Sequence, residues 1–123
     1  MDHVIDLDRA AAEIVARLPV WIASGHAPGP LTWRDGAAAW PRRPETDRGV
    51  VAAPDSVGVR VLGSDESAEL HVVLYRGGWA DLDVLTGDEV VTSCPRVTTP
   101  QEFGAVLDSA VARLPGGGRR PAA

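Results

Sequence analysis

The sequence predicts an α+β fold: a four-stranded antiparallel meander with N-terminal and C-terminal helices packed on one face. Three observations predict it. The apolar residues recur every 3.6 residues near the N-terminus, every two residues over about 57–93, and again every 3.6 residues after position 99. The connections between the strands are too short for crossover helices, so sequential strands must pair antiparallel. At 123 residues the chain fits one domain, which we assign to 1–114, followed by a flexible C-terminal tail at 115–123.

The N-terminal helix is predicted from one apolar stripe at helical spacing. Its members are Leu7, Ala11, Ile14, Val15 and Leu18. Asp6 or Asp2 is placed to cap the first turn. Pro19 lacks an N–H and crowds the preceding turn, so we expect it to end this helix, with one further short turn ending at Gly25.

Residues 25–56 are rich in proline and glycine, which is typical of loops. Trp21, Trp33 and Trp40 lie in or near this stretch, and a disordered linker seldom carries such side chains. We therefore expect the segment to pack on the domain, with a short helix or an irregular strand between 31 and 40.

The meander is predicted from strict alternation in four segments. One face is apolar and consists of Val57, Val59, Val61, Leu70, Val72, Leu74, Ala80, Leu82 and Val84. The turns fall at 63–67, at Gly77-Gly78 and at 86–89, where glycine permits the positive φ of a hairpin turn. The opposite face carries Trp79, Asp81 and Asp83.

The C-terminal helix has a complete start signal. Thr99 and Glu102 form a capping box, and Pro100 occupies the favoured first helical position. The apolar stripe that follows is Phe103, Val106, Leu107, Ala110, Val111 and Leu114. We expect this stripe to cover the apolar face of the meander and Pro115 to end the helix.

Composition limits the classes of partner and compartment. The net charge is −5 with no basic block, so a nucleic-acid partner is not expected, whereas a basic protein surface is. No apolar run approaches the ~20 residues of a membrane span, and acids occupy the place of a signal peptide's basic region, so we expect no membrane association and a cytoplasmic location. All basic residues are arginine, and lysine and asparagine are absent, which indicates GC-rich codons and a high-GC bacterium such as an actinomycete.

No metal site, cofactor motif or catalytic residue is predicted. His3, His26 and His71 are too scattered to suggest a zinc site. Cys94 precedes a helix start, which can activate a thiol, but no catalytic motif surrounds it. We expect Cys94 to be a buried or half-buried structural thiol.

Asp81 and Asp83 alternate on one strand face beside Trp79, and Glu69 could join them from the neighbouring strand. These carboxylates permit three interpretations: an acid–base pair, a solvated acidic face, or a binding surface for a basic partner. Aromatic anchors with complementary charge are typical of protein interfaces. We therefore assign partner binding to Tyr75, Trp79, Asp81 and Asp83.

The pattern over about 57–114 resembles small immunity proteins of bacterial polymorphic toxin systems and is similar to the TriTu immunity family. The residues that carry the resemblance are Tyr75, Gly78, Ala80, Leu82, Asp83 and Val84. The connection at 76–79 is longer than the family pattern, and 25–56 has no counterpart in it. The resemblance implies a protein that binds and neutralises a partner toxin and has no catalysis of its own.

The sequence therefore favours a cytoplasmic protein-binding domain, a monomer or a homodimer, whose partner is a protein such as a basic toxin domain. Two alternatives remain. One is a secretion-chaperone-like or adaptor domain that dimerises and binds peptides. The other is a small enzyme that uses the carboxylates or Cys94.

Overall fold

The structure is a computed structural model that describes residues 2–64 and 67–115. Its helices and strands are α1 Leu7–Ala23, β1 Ala27–Pro28, β2 Thr32–Asp35, β3 Pro54–Leu62, β4 Ala68–Tyr75, β5 Trp79–Thr86, β6 Glu89–Ser93 and α2 Pro100–Val111. The strands form one antiparallel sheet in the order β1-β3-β4-β5-β6, with β2 also paired to β3. The α+β class is confirmed. The predicted four-strand count is wrong, because the described sheet has six strands.

The two additional strands come from the proline- and glycine-rich segment. Both pair with the long strand β3, which begins at Pro54 and so offers an edge longer than the sequence period indicates. Trp33 of β2 lies opposite Val57 and is buried at 5% exposure. The segment therefore packs on the domain, as the tryptophans predicted, although Trp40 itself is 75% exposed.

The central meander has the predicted alternation. Val59, Val72 and Leu82 lie in one row across β3, β4 and β5, and all are buried. The turns between strands use Gly78 at φ 96° and Gly87 at φ 62°, values that favour glycine. The turn residues 65 and 66 lie outside the described residues, and so does 116–123 of the predicted tail.

Helix α1 is longer than predicted. Asp6 caps it by accepting from the N–H of Arg9 at 3.1 Å, but the helix passes through Pro19 to Ala23. The prediction that Pro19 ends the helix is wrong because Trp21, only 3% exposed, is buried in the core. Removing a buried tryptophan costs about 3–5 kcal/mol, which is large enough to offset the cost of an interior proline, about 3 kcal/mol or more. Gly25, which has a positive φ of 88°, lies just after the end of the helix.

The apolar stripe of α1 also differs in one position, since Val15 is 54% exposed whereas Ala10 is buried. Helix α2 has the predicted capping box, in which the Glu102 N–H donates to Thr99 Oγ1 at 3.1 Å. Both helices contribute to the single core that covers the apolar face of the sheet. Arg17 links them through a 2.7 Å ion pair between its Nε and Asp108 Oδ1. The second face of the sheet, called the open face below, carries Thr32, Arg34, Ser56, Arg60, Glu69, His71, Val73, Tyr75, Trp79, Asp81, Asp83 and Leu85.

Candidate functional site

The four predicted binding residues all lie on the open face, where strand register brings them together. Tyr75 lies opposite Trp79 in the β4–β5 pair, and Val73 lies opposite Asp81. The Tyr75 and Trp79 rings stack with centroids 4.9 Å apart and planes at 18°. Asp83 follows two positions along β5, on the same face as Asp81. The structure thus forms one continuous surface from an aromatic stack and two carboxylates.

Part of this surface forms a groove of about 440 Å³. Its lining residues are Arg34, Trp40, Arg42, Asp55, Ser56, His71, Val73, Tyr75, Asp81 and Asp83. Trp79 is not among the lining residues, and it stacks on Tyr75, which is. The helices cover the opposite face of the sheet, so the groove stays accessible from solvent.

The acidic side of the groove is held by short polar contacts. Asp81 Oδ1 accepts from the Cys94 thiol at 3.2 Å, and Asp83 Oδ1 accepts from the Thr92 hydroxyl at 2.8 Å. Neither carboxylate forms an ion pair with any residue that the structure describes. Glu69 differs, because it is bound by Arg60 at 2.6 Å and lies outside the groove lining.

The groove environment changes the acidity of Tyr75 and Cys94. Burial raises the pKa of the Tyr75 hydroxyl, and the charge and hydrogen bond of Asp81 raise it further. The hydrogen bond to Asp81 likewise raises the pKa of the Cys94 thiol. Both groups therefore stay protonated near neutral pH and act as hydrogen-bond donors.

Cys94 is exposed, so the prediction of a buried or half-buried thiol is wrong. It directly follows β6, the outermost strand of the meander, all five residues of which are exposed. An alternating strand pattern cannot distinguish an edge strand from a central one, because burial depends on which strands lie beside it.

The other side of the groove is cationic, and the sequence analysis missed it. Arg34 projects from β2, while Trp40 and Arg42 come from the loop after it. The Arg42 guanidinium lies 4.8 Å from the Trp40 ring centroid and 3.7 Å from Asp55 Oδ2. The cluster of aromatic and arginine residues in 40–43 was the available signal. The acidic face that the sequence predicted is therefore one side of a groove with both charge signs.

Arg76 stabilises the groove from below. Its Nε lies 3.2 Å from Asp55 Oδ1, an ion pair without the angle of a hydrogen bond. The backbone N–H of Arg76 also donates to the backbone carbonyl of Asp55 at 3.0 Å. Since Asp55 also contacts Arg42, this pair connects the hairpin at 75–79 to the cationic side.

The histidines lie far apart: His71 lines the groove, His26 is buried after α1, and His3 Nε2 contacts Arg76 at 3.1 Å. No group of three or more His, Cys, Asp or Glu side chains within the described ranges could hold a metal ion. No described helix is long and apolar enough to cross a membrane.

Fold and site together define a small α+β domain with a charged, aromatic groove on the open face of its sheet. Comparison with protein-family models, curated proteins and solved structures finds no match for the chain. A proposal for the function therefore starts from the chemistry of the groove.

Proposed function

We propose that the chain is a protein-binding domain that covers a basic surface of a partner with Tyr75, Trp79, Asp81 and Asp83, and that this partner is a toxin which it neutralises. The observation that carries the proposal is that Asp81 and Asp83 form no ion pair with any described residue. Other acids, such as Glu69 and Asp108, are paired with arginine within the domain. Asp81 and Asp83 have no such partner among the described residues, so a lysine or arginine of another protein can pair with them.

The aromatic stack supports binding rather than simple solvation of this face. Tyr75 and Trp79 are half-buried and offer a rigid apolar surface beside the carboxylates. Tyrosine and tryptophan are enriched at the energetically important positions of protein interfaces. A long cationic side chain can lie along the ring of Tyr75 while its charged end reaches Asp81.

The cationic side of the groove makes the proposed recognition directional. Arg42 is engaged by Asp55, but Arg34 has no acidic partner among the described residues and donates only to the Arg42 carbonyl at 3.3 Å. A matching surface would place its basic groups at Asp81 and Asp83 and a hydrogen-bond acceptor at Arg34. Such an alternation of charge orients a complex and disfavours mismatched partners.

The toxin assignment rests on the resemblance of 57–114 to immunity proteins and on the acidic net charge. A toxin that cleaves nucleic acid needs a basic surface to hold phosphate groups, and an acidic inhibitor suits such a surface. The partner to look for and test is the C-terminal domain of a large secreted protein whose gene lies directly upstream of the gene for this chain.

The decisive experiment measures growth protection by co-expression with that domain and affinity by titration calorimetry. The double variant Asp81→Arg, Asp83→Arg should lose both protection and binding while keeping the circular dichroism of the folded domain. The matched control is Asp2→Arg, Asp88→Arg, which makes the same charge change at exposed residues outside the groove. Unchanged affinity of the groove variant, or equal losses in both variants, would contradict the proposal.

A small enzyme is the second candidate, because His71, Tyr75, Asp81 and Asp83 converge on one groove. Stoichiometry separates the two candidates. A binding inhibitor protects only when it is about equimolar with the toxin, whereas an enzyme that modifies the toxin would protect at much lower ratios. Full protection at substoichiometric amounts would favour the enzyme.

A further inference from the structure

The outer edge of β6 has no partner strand among the described residues and lacks the usual protection of an edge strand. Its five residues are all exposed, and Val90 and Val91 are 58% and 41% exposed. Within the described part of the chain, β6 pairs only with β5. Exposed edge strands present unpaired N–H and C=O groups, and proteins usually protect them with proline, lysine or a bulge. β6 has none of these within Glu89–Ser93.

The other end of the sheet is protected in the usual way. That edge is formed by β1 and β2, which lie one after the other along β3. On the outer side of β2, Trp33 and Glu45 exchange two backbone hydrogen bonds of 2.8 and 2.7 Å. The other strand, β1, has two residues, the second of which is Pro28. Pro30 follows it, and a proline has no N–H to donate to another strand. Among the described residues, one edge of the sheet is therefore protected and the other, at β6, has no partner strand.

The hairpin turn determines which groups of β6 face outward. Thr86 and Glu89 flank the two-residue turn at Gly87 and Asp88, so they form a hydrogen-bonded pair. Hydrogen-bonded and non-hydrogen-bonded pairs then alternate along the ladder. The N–H and C=O groups of Val90 and Thr92 consequently point away from β5.

We propose that two copies of this chain form a dimer by antiparallel pairing of β6 with β6, with Val91 on the two-fold axis. In this register Val90 lies opposite Thr92 of the partner subunit, and the reverse pair follows by symmetry. All outward N–H and C=O groups of both strands are then used, in four backbone hydrogen bonds. The two Val91 side chains meet as a non-hydrogen-bonded pair on the helix side of the sheet.

Charge and polarity favour a second copy as the occupant of this edge. The only charged residue in β6 is Glu89, and the proposed register places it opposite Ser93 of the partner subunit, so no like charges meet. The exposed Val90 and Val91 become covered in both copies. The register uses strand residues alone and does not involve the turn at Asp88.

The proposed dimer is an inference separate from the proposed function, and it does not prevent the groove from binding a partner. A two-fold axis perpendicular to a continuous sheet places both open faces on the same side. The groove residues Asp81 and Asp83 therefore stay accessible in each subunit. Thr92 connects the two regions, since its hydroxyl donates to Asp83 while its backbone joins the partner strand.

The first test is the mass of the full chain in solution, measured by light scattering and sedimentation equilibrium. We expect twice the 12.9 kDa chain mass. Val90→Pro removes an outward N–H that the monomer does not use, so it should preserve the fold, checked by circular dichroism, and raise the dimer Kd roughly tenfold or more. The control Val90→Thr keeps the N–H and should dimerise like the unmodified chain.

The second test determines the register by oxidation of single cysteines in a Cys94→Ser background. Val91→Cys should form a covalent dimer, because residues in a non-hydrogen-bonded pair lie about 4.5 Å apart at Cα. Val90→Cys should not, because its two copies are offset along the strands to roughly 8 Å, beyond disulfide reach. A mass of 12.9 kDa at every concentration up to about 1 mM would overturn the proposal. So would a dimer in which Val91→Cys fails to cross-link and Val90→Pro has no effect.

Discussion

Cys94 donates its thiol hydrogen to the Asp81 carboxylate, with 3.2 Å between Sγ and Oδ1. This contact joins the strand edge to the acidic side of the groove. The negative oxygen stabilises the thiol over the thiolate and raises the pKa of Cys94. Because Cys94 is exposed, its reactivity is limited by charge and not by access.

Asp81→Asn should therefore accelerate alkylation of Cys94. The substitution removes the charge that disfavours the thiolate, which is the form that attacks. The measurement is the iodoacetamide rate between about pH 7 and pH 9, on either side of an ordinary cysteine pKa. The rate profile should move to lower pH and the rate near neutrality should rise. Asp83→Asn is the control, since Asp83 contacts Thr92 instead; equal rates in the two variants would contradict the role given to Asp81.

Thr99→Ala should destabilise the domain by about 1 kcal/mol, the usual cost of losing an N-cap side chain. Thr99 Oγ1 accepts from the Glu102 N–H, which has no helical partner in the first turn. Urea denaturation measures the change. Ser109→Ala, at an exposed position within α2, should change stability by less than about 0.5 kcal/mol. A similar loss in both variants would mean that the cap contributes nothing specific.

Glu102 should give the domain a measurable acid sensitivity. The N–H and hydroxyl of Thr98 and the N–H of Thr99 hold the Glu102 carboxylate, and they lower its pKa in the folded state. A lowered folded pKa contributes stability above the ordinary glutamate pKa, and this stability disappears as the pH falls through the folded value. The stability difference between the unmodified chain and Glu102→Gln should thus be largest near neutral pH and shrink in acid. A difference that is constant with pH would exclude this linkage.

Gly78→Ala should cost more stability than Gly87→Ala. Both glycines have positive φ, so alanine is strained at each by about 1 kcal/mol or more. A Cβ at Gly78 would also lie 2.8 Å from Val4 Cγ1, whereas a Cβ at Gly87 has nothing within 4 Å. We expect a loss of about 2 kcal/mol at Gly78, measured as a shift in the urea midpoint. Equal losses would show that Val4 moves away without cost.

Features encoded by local spacing could be predicted. The alternation in 57–93 predicted the core-facing residues of β3, β4 and β5, since successive strand side chains point to opposite faces. The capping box of α2 could be predicted because Thr99 and Glu102, which form it, are only three residues apart in the sequence. The same alternation placed Asp81 and Asp83 with Trp79 on the open face.

Features that depend on distant segments could not be predicted. β1 and β2 are strands because they pair with the edge of β3, although their own residues are typical of loops. The cationic side of the groove depends on Asp35, whose carboxylate accepts from the N–H groups of Ala52 and Ala53 at 2.9 and 3.0 Å. These bonds close the loop between Asp35 and Ala52, which contains Arg42, and Arg42 lines the groove together with Asp81.

The sequence by itself determined the α+β class, the meander and the position of Tyr75, Trp79, Asp81 and Asp83 on one face of the sheet, because periodicity and capping act over a few residues. Only the tertiary structure decided that Pro19 lies inside a helix, that the sheet has two further strands, and that Arg34 and Arg42 complete the groove. It also decided that the outer edge of β6 has no partner strand among the residues that the structure describes. The physical reason is the same in each case. Burial, strand pairing and charge pairing depend on residues that are distant in sequence but close in space, and local sequence patterns do not indicate which residues these are.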